Sequence, residues 1–74
     1  MERGPLLEIL EGMKGTAKEL DLTLPGENEP IEIRNVVEVE SLSSTHGLKI
    51  TTKQNLIWID AGHIACAWQA RDDI

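Results

Sequence analysis

The chain has 74 residues, 41% of them apolar, with one cysteine and a formal net charge of −6. A domain of this length is near the lower limit for a self-sufficient core, so further burial through self-association is expected. Cys66 on its own excludes an intramolecular disulfide, and the acidic balance argues against a generic nucleic-acid binder, whose affinity rests on Lys and Arg.

The charge is unevenly spread. Residues 1–40 carry a net −6 and residues 60–74 a net −2, while residues 41–59 hold no acid and only Lys49 and Lys53. A local basic surface on an acidic body is one reading; a solvated strand face with two lysines is the commoner one. No signal-peptide pattern or long apolar span is present, so a soluble cytoplasmic protein in a reducing compartment, with no membrane partner, is expected.

In chain order, Pro5 opens a segment in which Leu6, Ile9, Leu10 and Met13 recur at helical spacing, with acids on the other side. This predicts a short amphipathic helix over about residues 5–14, ended by Gly12 and Gly15 and covering a sheet with its apolar stripe. From Thr16 to Leu24 the period changes to two, Leu20, Leu22 and Leu24 alternating with Glu19, Asp21 and Thr23, as in a strand with one wet face. After the turn formers Pro25 to Pro30, a run from Ile31 to Glu40 alternates at both ends but slips in parity at Asn35-Val36, which predicts a bulge or sharp bend in one long strand. Ser41 to Gly47 is polar and loop-like. Leu48 to Lys53 resumes alternation, and the tail from Gln69 to Ile74 reads as polar and frayed.

The chain is organised around Asn55 to Trp68, read as two short strands joined by a very tight turn at Asp60-Ala61-Gly62. The first strand is the apolar run Leu56 to Ile59, and in the second Ile64, Cys66 and Trp68 alternate with alanines. Cys66 reads as core filler. A free edge carrying Trp58, Ile64 and Trp68 would invite aggregation unless covered. The whole is one domain over residues 1–74: a helix and five strands at about 16–24, 31–40, 48–53, 55–60 and 63–69, mainly β, forming a strongly bent antiparallel barrel.

Over residues 5–68 this order of elements resembles that of the Sm and Sm-like (LSm) proteins. Ile59-Asp60-Ala61-Gly62-His63-Ile64 lies where that family's second motif has an apolar residue, a basic residue, Gly, an acidic or amide residue, and a further apolar residue. Ile59 and Ile64 fit, while Asp60 stands in the basic position and Ala61 in the Gly position. In the first motif Leu48 fits, and Ser43 and Gly47 replace the Asp and the Asn.

The resemblance implies a five-stranded SH3-like/Sm-like barrel in a homo-oligomeric ring of five to seven copies. The last-but-one strand of one copy would pair with the final strand of the next, through Leu56, Trp58, Ile64, Cys66 and Trp68. It also implies the binding of single-stranded RNA, or the scaffolding of a protein–RNA complex, at two loops, Thr45, His46 and Gly47 with Asp60, Ala61, Gly62 and His63. His46 would stack on a base and Lys49 favour phosphate, whereas a ring of Asp60 carboxylates would repel RNA. The alternative is an oligomeric SH3-like structural or interaction module without nucleic-acid contact.

No enzyme, cofactor or metal site is expected. On a strand His63 and Cys66, three apart, point to opposite faces and cannot form a nucleophile–base pair. Asp60, His46 and His63 lack ligand-like spacing. Trp58 and Trp68 read as core or subunit interface before stacking platforms, and the helix stripe as core cover before a partner groove.

Overall fold

The structure is a computed structural model that describes residues 1–71. It is mainly β, with one short N-terminal helix and two three-stranded antiparallel sheets. Helix α1 spans Arg3–Met13, two residues earlier than its Pro5 signal, and Leu6, Leu10 and Met13 (i, i+4, i+7) are buried on one side. Both of its ends are tied down. Arg3 donates from its guanidinium to the carbonyls of Leu42, Ser44 and Gly47, and at the far end Gly15, at φ +75°, donates its N–H to Val36 O at 3.2 Å. An 11-residue helix is marginal in water, so these ties and the buried stripe are what hold it.

The strands are β1 (Glu19–Thr23), β2 (Ile31–Arg34), β3 (Val36–Ser41), β4 (Gly47–Thr52), β5 (Leu56–Asp60) and β6 (Cys66–Trp68). There are six of them among the described residues, rather than the expected five, because the long second strand is divided at Asn35. That residue adopts φ +58°, and the register then shifts between Val36 and Glu38, leaving Val37 exposed. The parity slip in the sequence therefore marks a real corner, where the chain leaves one sheet for the other. The sheets have the orders β2-β1-β6 and β3-β4-β5, and they do not form the expected closed barrel.

The expected tight-turned pair is also replaced. Strands β5 and β6 lie in different sheets, linked by a 3-10 helix at Ala61–His63. Asp60 caps this helix by accepting the Gly62 N–H at 2.8 Å. Ala61 and Ile64 are buried here, so the segment plugs the core instead of turning at the surface. The last strand shrinks accordingly from the expected 63–69 to three residues, and the first from 16–24 to Glu19–Thr23. Gln69 to Arg71 lie outside any strand; the rest of the expected frayed tail lies outside the described residues.

Between the sheets and α1 lies one core, formed by Leu6, Leu10, Met13, Leu20, Leu22, Ile33, Val36, Val39, Leu48, Ile50, Ala61 and Ile64. On its rim Lys14 sits 3.0 Å from both Glu11 and Glu38, linking α1 to β3. Bonding to Glu11 and Glu38 raises the Lys14 pKa, and the bond from Lys14, then the Val39 N–H, lowers that of Glu38. A carboxyl with a lowered folded pKa contributes stability above its ordinary range and loses it on acidification. Glu38→Gln is therefore expected to lower the melting temperature slightly at pH 7, with the difference from the parent narrowing as the pH is taken down below the ordinary carboxylate range, which thermal melts over an acid pH series will check. Among the described residues no helix is long and apolar enough to cross a membrane.

Candidate functional site

Two surface features collect the residues singled out from the sequence. The first is a loop pair. The loop after β3 and the 3-10 helix after β5 meet because β4 and β5 are paired up to Gly47 and Asp60, and the Ala61 N–H then donates to His46 O at 2.8 Å. The His46 ring stands over Gly62, where an added Cβ would lie 3.5 Å from it. His63 Nδ1 is 3.7 Å from Asp60 Oδ2, with the imidazole largely in solvent.

The expected two-loop constellation is therefore brought together only in part. Thr45, His46, Asp60, Gly62 and His63 are exposed at one end of the molecule, but Gly47 and Ala61 are buried and present no side chain to a ligand. Gly47 is close-packed because a Cβ there would collide with the Ser44 hydroxyl, which instead accepts the Gly47 N–H at 3.1 Å. Lys49 does not join the loops. It lies on the outer face of β4, with Nζ 5.6 Å from the Trp58 ring centroid and 3.9 Å from Glu40.

The second feature is the open side of β5. This strand terminates its sheet, bonded to β4 and to no further strand among the described residues. On the outer face Leu56 is 55% exposed and Trp58 59%. On the inner face Ile57 and Ile59 are half-buried against the core.

The other candidate interface residues fare differently. Trp68 is 44% exposed and neither tryptophan belongs to the core, so of their two expected places the interior is excluded. Ile64 is 2% exposed and serves the core instead of an edge. Cys66, expected as filler, is exposed, because β6 pairs with β1 so that Cys66 opposes Thr23 on the outer face.

One cluster was not anticipated. Glu19, Asp21 and Glu32 bring their carboxylates within 4.8 Å of one another on the outer face of β1 and β2. The alternation Glu19-Asp21 signalled a wet face, but the cross-strand register that adds Glu32 opposite Asp21 is a tertiary fact. Arg34 lies among these acids, paired with Glu19 and 3.7 Å from Glu32, and offsets part of their charge. Compared with protein-family models, with curated proteins and with solved structures, the chain matches none.

Proposed function

We propose that this chain is a self-assembling β-module, an oligomeric SH3-like structural or interaction unit whose open sheet edge is completed by another copy. One observation carries the reading: β5 ends its sheet while exposing Leu56 and Trp58. A strand edge offers unpaired backbone groups, and large apolar side chains beside it favour a partner over water. Light scattering over a wide concentration range tests it. The weight-average mass should rise with concentration, and a constant monomer mass would remove the proposal.

A second reading is favoured by the meeting of His46 with Gly62. In it, copies close head-to-tail into an Sm-like ring of five to seven, and the loop pair holds single-stranded RNA, His46 stacking on a base. The net charge of −6 and the exposed Asp60 weigh against this reading, since both repel phosphate. Gel shifts at low salt with uridine-rich and adenine-rich oligomers decide it. If RNA binds, His46→Ala should weaken it by about 1–3 kcal/mol for a lost stack; unchanged affinity would clear His46 of the role.

A further inference from the structure

We infer that the partner is a second copy joined through β5 itself, the two β5 strands running antiparallel about a two-fold axis at Trp58. This rests on the self-assembly reading and adds its geometry.

The backbone supplies the first step. The Thr52 N–H donates to Asn55 O at 2.9 Å, and the Ala61 N–H to His46 O at 2.8 Å, at the two ends of the β4–β5 ladder. In an antiparallel ladder the bonding direction alternates along each strand. Asn55, Ile57, Ile59 and Ala61 therefore turn their backbone groups to β4, and Leu56, Trp58 and Asp60 turn theirs to the open side. These last three also carry the outward side chains. An antiparallel copy with Trp58 opposite Trp58 sets Leu56 opposite Asp60 and Ile57 opposite Ile59. Open backbone groups then meet open backbone groups, and the half-buried isoleucines meet on the inner face. A two-fold contact of this kind needs only the one edge.

Charge favours the same direction. Exposed Lys53 precedes β5 and exposed Asp60 ends it. Antiparallel pairing turns each Asp60 toward the end of the partner strand that carries Lys53, whereas a parallel pair would bring like charges together. The other three edges are poorer: β2 and β6 have four and three residues, β3 is bulged between Val36 and Glu38, and short or bulged edge strands are common means of preventing pairing. Leu56 and Trp58 together offer on the order of 200–300 Å² per copy, against about 800 Å² per partner in a standard interface. The dimer is accordingly reversible and concentration-dependent.

The test uses the whole chain in three forms. The parent should pass from monomer to dimer, and no further, as concentration rises in light scattering. Trp58→Lys should remain monomeric with an unchanged circular dichroism spectrum, since the residue is exposed. In a Cys66→Ser background that keeps Trp58, the Leu56→Cys/Asp60→Cys double variant should be captured by mild oxidation as a covalent dimer, because the two-fold sets these two residues opposite one another and residues so placed in a ladder lie within disulfide reach. Larger assemblies, a dimer that Trp58→Lys leaves intact, or no covalent dimer from the Leu56→Cys/Asp60→Cys variant would each overturn the two-fold geometry while leaving self-assembly standing. A monomer at every concentration would overturn both.

Discussion

Leu10→Ala is expected to lower the unfolding free energy by about 2–5 kcal/mol, the range for a large aliphatic side chain removed from a packed core. Leu10 is fully buried midway along the stripe by which α1 covers the sheets, between Leu6 and Met13. A 74-residue domain has roughly 4–11 kcal/mol in total. The substitution therefore removes a large part of what exists. Urea denaturation followed by circular dichroism will give the change as a lower midpoint. A loss below about 1 kcal/mol would mean that α1 contributes little to the fold, and that the sheets are closed from above by something other than its apolar side.

Asn35→Val is expected to destabilise by about 1–2 kcal/mol, and Asn35→Gly to stay near the parent or improve on it. Asn35 sits at φ +58°, where a β-branched side chain is strained and glycine is at ease. The corner is also a junction of hydrogen bonds: Asn35 O accepts from the Lys53 N–H at 3.1 Å, and Val36 O accepts from that of Gly15 at 3.2 Å. Valine must either hold the strained angle or draw those bonds out of place. Denaturant midpoints for the pair will check the ordering, and equal midpoints would show that the corner tolerates any residue.

Local pattern made the elements legible and left their partners hidden. The alternation of Leu20 and Leu22 with Glu19 and Asp21 located β1, and the broken parity at Asn35-Val36 located the corner, because both depend on neighbours in the chain. The stretch from Asn55 to Trp68 was misread for the opposite reason. Asp60-Ala61-Gly62 has the composition of a turn, and what decides for a 3-10 helix is the burial of Ala61 and Ile64, which depends on the two sheets already being apart. Cys66 and Trp68 look interior by residue type, yet the pairing of β6 with β1 turns them outward. The two loops were paired only by the resemblance to the Sm-like proteins, and neither that resemblance nor the residues themselves marked Gly47 and Ala61 as sealed inside.

The pairing of β1 with β6 joins the earliest strand to the latest, with Leu22 opposite Ala67, roughly 45 positions along the chain. Contacts of such long separation are slow to form, because the intervening polymer must be closed into a loop before any reward arrives. Strands β3, β4 and β5 follow one another and can pair locally, and β1 can pair with β2 across a short turn, while the other flank of β1 has no partner until β6 returns to it. Whatever slows that return prolongs the time that one edge of the Leu22 strand is open.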